Sequence, residues 1–372
     1  MKTLRLLSVL IAAAFAAPAA EYLMYVGTYT GPHSQGIYVY RFDAATGKAT
    51  SLGLAGEARN PSFLAVHPSG NYLYSVDESD GGAVSAFRID HKTGKLARLN
   101  MVSSRGSGPC ALTVDATGRN LLVANYGSGS VALIPIKGDG SLAGGAASDQ
   151  HTGSSVNKER QEGPHAHSAD FAPGNRFALS ADLGLDDVFV YRFDAQKNTL
   201  VPNAPPFGKV RPGYGPRHVA FHPNGKFAYV VNELNSTVTS FAWDGRAGTL
   251  KEISTVSALP KGSKVATDGA EIHVHPNGKF VYSSNRSEAN NIALFRADAA
   301  TGKLEFVEVV PSGGRSPRYF GLDPTGAWLA SANEESSNIL LFRVDPNTGK
   351  LTPSGKPIEI YKPVCVKFVA AK

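Results

Sequence analysis

The residues whose types could do chemistry gather in one stretch, from Gly163 to Arg286. His165 and His167 stand two apart in an extended run, which puts both on one face. Arg217 and His218 follow, then Glu233, Glu271 and Arg286. A His/Glu combination can move protons near neutral pH, and Arg can hold a carboxylate, a phosphate or a developing oxyanion. His-x-His could also offer two metal ligands, with Asp182 or Glu233 as a third. No spacing fixes that third ligand and the neighbouring arginines disfavour a cation, so neither a metal nor another cofactor is expected. The sequence holds no glycine-rich phosphate loop, nucleophile elbow, zinc-protease helix or paired-cysteine motif.

These residues sit at the ends of a repeated frame. Six copies of a turn read His67-Pro-Ser-Gly70, Asp115-Ala-Thr-Gly118, Ala172-Pro-Gly-Asn175, His222-Pro-Asn-Gly225, His275-Pro-Asn-Gly278 and Asp323-Pro-Thr-Gly326. Pro suits the second position of a type I turn, and Gly or Asn tolerates the left-handed residue that closes it. Each turn is followed by a β-like run ending in Asp or Asn: Asp77, Asn125, Asp182, Asn232, Asn285 and Asn333. A second turn, as in Asp43-Ala-Ala-Thr-Gly47 and Asp298-Ala-Ala-Thr-Gly302, occurs seven times, two of them looser versions. The mature chain begins with a second strand, Tyr22 to Thr28, and ends on a first strand, Pro363 to Val369.

Four strands per repeat at a spacing near 50 residues predict an all-β, seven-bladed propeller of four-stranded blades, its last blade closed by the N- and C-terminal strands. In a propeller the start of the innermost strand and the end of the second strand share one face. That frame brings Ser62, Cys110, His165, Arg217, Ala270, Arg318 and Val364 into one ring, with the Asx residues and their successors beside it. His67, His222 and His275 recur before a turn Pro and read as structural. The Asx set reads as turn capping.

The bulk properties agree with a globular chain. Of its 372 residues, 42% are hydrophobic and 18% charged, and Gly 39 with Pro 23 suits many turns. The net charge of +6 is spread along the sequence rather than clustered. It therefore argues against a nucleic-acid partner and for small anionic ligands. Lys2 and Arg5 precede an apolar run, Leu6 to Ala17, with small residues after it. Residues 1–20 are thus expected to be a cleaved signal peptide, residues 21–372 the propeller, and the protein exported to the periplasm or secreted, without a membrane anchor after cleavage. Cys110 and Cys365, the two cysteines, leave a pairing open.

Gly163-Pro-His-Ala-His167, Asp182-Leu-Gly184, Gly215-Pro-Arg-His218, Asn232-Glu-Leu234 and Ser284-Asn-Arg286 together resemble the propeller lactonase family, which includes 6-phosphogluconolactonases and carboxymuconate lactonising enzymes. The likeness spans the whole mature chain. It implies a cofactor-free site at one mouth of the ring, with His167 (or His165), Arg217, Glu233 and Arg286 as catalytic residues. His165, His218, Glu271, Asn285 and Asp182 are the substrate-binding candidates. The expected reaction is hydrolysis of a small anionic lactone by a monomer or weak dimer, with Glu233 or His167 activating water. A carboxymuconate-type cycloisomerase and a non-catalytic binding propeller are the alternatives.

Overall fold

The computed structural model describes residues 21–372; the signal peptide expected at residues 1–20 lies outside them. The described residues form seven four-stranded antiparallel sheets and no helix. Six sheets are built from consecutive strands. The seventh takes its inner strand from the C-terminal Pro363–Ala370 and its other three from the N-terminal Glu21–Thr28, Gly36–Asp43 and Lys48–Glu57. Tyr22 pairs with Ala370 and Thr28 with Pro363, so the first described strand fastens the last one and the ring is closed.

Each sheet packs its faces against its neighbours in the ring. Phe280, Tyr282, Ile292 and Leu294 of one blade bury against Phe320, Leu329, Leu340 and Phe342 of the next. A second strand is therefore covered on both faces, and Phe227–Asn232, Phe280–Asn285 and Trp328–Asn333 are buried along their whole length. This is why these runs read as continuously apolar rather than alternating.

The recurrent turn histidines join blades on the face opposite the site. His222 Nδ1 accepts from the Asn224 N–H at 3.1 Å, so the ring proton is on Nε2, which donates to the Gly278 carbonyl of the next blade at 2.8 Å. His67 and His275 make the same contact to Gly118 and Gly326. Those glycines close their turns at φ near +70°, and a Cβ at Gly326 would stand 2.7 Å from His275 Nε2. Conformation and space both demand glycine there.

Candidate active site

Backbone pairing decides which residues share the ring at the other mouth. Pro216 pairs with Asn232, and the Glu233 N–H donates to the Gly215 carbonyl at 2.7 Å. In the preceding blade the Leu183 N–H donates to the His165 carbonyl at 3.0 Å. His165 is thus the counterpart of Gly215, and His167 that of Arg217. The reading that put His165 in this ring is corrected: the run from Pro164 to its turn is two residues longer than in the other blades, and counting back from Ala172 reaches His167.

The mouth holds a cavity of about 280 Å³ lined by Tyr29, Glu78, Cys110, Tyr126, Arg160, His167, Glu233, Arg286 and Arg318. Glu233 is its charged centre, with a side chain only 5% exposed. Arg160 Nη2 donates to its Oε1, while Arg217 Nε at 2.8 Å and Arg286 Nη2 at 3.0 Å face its Oε2. Arg217 Nε approaches off the hydrogen-bond direction, so that contact is coulombic. Arg217, 2% exposed, lies behind Glu233 and outside the cavity, and its Nη1 donates to the Ala270 carbonyl. Burial pushes the Glu233 carboxyl up, but Arg286, Arg217 and Arg160 outweigh it and hold it down at about 2. Glu233 is an ionised anchor and a very weak base.

His167 is buried, with Nδ1 3.7 Å from the Cys110 sulfur and its ring 5.4 Å from that of Tyr126. Burial first, then the charges of Arg217, His218 and Arg318, keep it well below its ordinary value of 6.5. It is therefore a neutral imidazole at pH 7. Cys110 and Cys365 are both free thiols, and burial pushes Cys110 up to about 12, so it is no nucleophile. Among the described residues no three His, Cys, Asp or Glu side chains gather in a way that could hold a metal ion.

Residues 23–368 match the family of seven-bladed β-propeller lactonases. A 6-phosphogluconolactonase of Bacillus subtilis is 39% identical over 94% of this chain and 99% of its own length. The chain belongs to the propeller lactonase family. A 6-phosphogluconolactonase of Formosa agariphila is 36% identical over 84% of this chain and 89% of its own. The solved structure of a periplasmic gluconolactonase from Pseudomonas aeruginosa superposes with a TM-score of 0.90 at 34% identity, covering 95% of this chain and all of that one.

Within this lactonase ring the other sequence-derived candidates fall in three places. His218 and Glu271 sit one layer below the mouth and line a second, larger cavity of about 520 Å³ in the central channel. Glu271 accepts from His218 Nδ1 at 3.0 Å, and His218 Nε2 then faces Arg217 Nη1 at 3.5 Å. Burial lowers His218, which keeps this imidazole neutral. His165 flanks the mouth, stacked on Tyr126 at 4.5 Å and bonded to Glu162 at 3.0 Å.

Asp182 and Asn285 stand outside the mouth cavity altogether. Asp182 is fully buried and accepts from His151 Nδ1 at 2.6 Å, the His165 N–H at 2.7 Å and the Gly184 N–H at 3.0 Å. Asn285 donates to the Ala258 carbonyl and to Asn291. Asp182 is satisfied as a strut by backbone and a neighbouring side chain, whereas Asn285 spends its amide N–H groups on neighbours and leaves its buried Oδ1 without a partner.

Arg160 is the site residue that the repeat does not reveal. It comes from residues 151–164, a connection from the outer strand Ala147–Gln150 to the inner-strand run that is longer than its counterparts in the other blades. The connection is tied down: Ser155 Oγ donates to Asp186, Gln161 Nε2 to the Leu183 carbonyl, and Asn157 Oδ1 accepts from the Arg160 N–H. The available signal was the length of the run between the two strands.

Proposed function

We propose that this lactonase hydrolyses the ring ester of a small, anionic sugar-acid lactone at the Glu233 mouth. The observation that carries the reading is a neutral His167 in the same cavity as a guanidinium, Arg286, anchored on an ionised carboxylate. Its Nε2 has no hydrogen-bond partner among the described residues. His167 takes a proton from water as the water oxygen attacks the lactone carbonyl carbon. Arg286 steadies the oxyanion of the tetrahedral intermediate. The intermediate collapses by breaking the bond from the carbonyl carbon to the ring oxygen. The protonated imidazole then returns its proton to that leaving oxygen. Glu233 and Arg217 act through Arg286 by fixing where its guanidinium stands. Every group these steps use is a side chain of this chain.

We place the reaction outside the cytoplasm, as a monomer or weak dimer. The basic and then apolar residues 1–20 support export, as does the description of the Pseudomonas relative as periplasmic. Purified protein mixed with a panel of aldonolactones in weak buffer should release acid faster than the spontaneous rate. No acceleration over any of them would sink the reading.

A further inference from the structure

Four guanidiniums line or back the mouth, and three of them converge on Glu233. Arg318 does not. It rises from the inner strand Pro317–Leu322, is 17% exposed, and makes no side-chain hydrogen bond to any described residue. Its one close acid is Glu78, whose Oε1 is 3.9 Å from Arg318 Nη2. Glu78 is otherwise engaged, since the Tyr29 hydroxyl lies 3.1 and 3.0 Å from its two oxygens. The Arg318 guanidinium carbon lies 5.6 Å from the Tyr29 ring centroid. An aromatic face orients a guanidinium stacked on it, and leaves the N–H edge free.

A cavity wall with five unused N–H donors, whose nearest acid stands 3.9 Å away while Glu334 and Glu233 act only from farther off, is built to be completed by a ligand. Water can solvate the group only in part, because the cavity is small and the side chain mostly enclosed. The wall stands apart from the reacting one. Glu233 and Arg286 come from two adjacent blades, and Arg318, Tyr29 and Glu78 from the next three around the ring. A sugar-acid lactone also has two ends, a ring ester and a substituent.

We infer that Arg318, backed by Tyr29 and restrained by Glu78, is the subsite for the substrate's exocyclic oxyanion, a phosphate or a carboxylate. This rests on the lactonase reading for the identity of the ligand, though not for the existence of an anion site. Glu78 acts as the competing anion that a ligand displaces, so its charge weakens anion binding.

The test uses the full chain with two readouts. In hydrolysis, a neutral lactone (glucono-1,5-lactone), a phosphorylated one (6-phosphogluconolactone) and a carboxylate-bearing one (a glucarolactone) are compared. Arg318→Gln should lower the anionic-to-neutral ratio of kcat/KM at least about tenfold, mainly through KM, with Arg318→Lys recovering part of it. The arm that falls furthest names phosphate or carboxylate. A ratio within about twofold of wild type for both anions would overturn the subsite.

In calorimetry with inorganic phosphate as the probe, Arg318→Gln should weaken binding about tenfold. Glu78→Gln should tighten it several-fold, a direction that damage to the fold would not produce. Phosphate that fails to bind wild type, or binds Arg318→Gln equally well, overturns the proposal. Should wild type hydrolyse no lactone yet bind phosphate in this pattern, the reaction assignment falls and the anion subsite stands.

Discussion

Arg217 Nε stands 2.8 Å from Glu233 Oε2, and both residues lie where one blade begins its inner strand and ends its second strand. The pair is a product of register: Arg217 is the extra residue between Pro216, which pairs with Asn232, and His218, which pairs with Val231, while Glu233 follows Asn232 with its N–H on the Gly215 carbonyl. Because both side chains are nearly out of solvent, neither charge is tolerable alone. The rest of the site is arranged around that constraint, with Arg286 and Arg160 closing on the same carboxylate.

Glu233→Gln should therefore cost more than its own contacts. Arg217 and Arg286 would face each other with no anion between them, and removing one partner of a buried pair costs about 3–5 kcal/mol. A thermal melt should fall by several degrees and kcat/KM by about a hundredfold or more. The pH dependence has a definite sign. Glu233 titrates at about 2 folded against an ordinary value of 4.5, so its stabilisation is complete above 4.5 and is lost as pH falls from there toward 2. Melts across that window should be steeper for wild type than for the variant.

The acid limb of activity should belong to His167. As a base it must be neutral, and burial with the charges of Arg217, His218 and Arg318 lowers its pKa. Activity should stay flat around pH 7 and decline only at pH values below 6.5. Arg318→Gln removes one of the opposing charges, so in the neutral-lactone assay its limb should move up toward 6.5. His167→Gln should lower kcat by about 10²–10⁴. A His167→Gln enzyme within tenfold of wild type would end the assignment of His167 as the base.

The fold was legible because turn chemistry repeats: Pro and Gly at fixed offsets mark blades whatever the strands contain, and the two half-repeats at the termini announce closure. The ring at the mouth was legible in six blades and misplaced in one. Pro164-His165 looks like Pro216-Arg217 locally, whereas register is set from the turn. Arg160 was hidden because repeat alignment discards insertions. Asp182 and Asn285 were read as substrate contacts because a sequence shows that a residue is polar, but not whether buried backbone has already claimed it.

Asp182 offers a direct comparison between those two readings. As a strut it satisfies His151 and two backbone N–H groups beside the long connection 151–164. Asp182→Ala should leave them orphaned, lowering stability by about 3 kcal/mol or more. That segment should become sensitive to limited proteolysis, and kcat should fall because it carries Arg160 and leads directly into His167. A substrate-binding role predicts the opposite pattern, a raised KM with an unchanged melt.

The blade-to-blade latches can be separated from the site because they lie at the far ends of the inner strands. His222 both accepts from its own turn at Asn224 and donates to the Gly278 carbonyl of the next blade. At the equivalent positions Asp115 and Asp323 accept from their own turns, through Thr117 and Thr325, but a carboxylate has no proton to give a neighbouring carbonyl. His222→Asp should therefore keep the turn and lose the latch. One buried carbonyl is left without its donor, which costs about 1–3 kcal/mol. His222→Leu removes both contacts and should cost more. Differential scanning calorimetry should rank wild type above His222→Asp above His222→Leu, while kcat/KM stays at the wild-type value for His222→Asp. Equal melting of all three would mean that the latch adds nothing to closure of the ring. Loss of activity in folded His222→Asp would mean that the two faces are coupled through the channel.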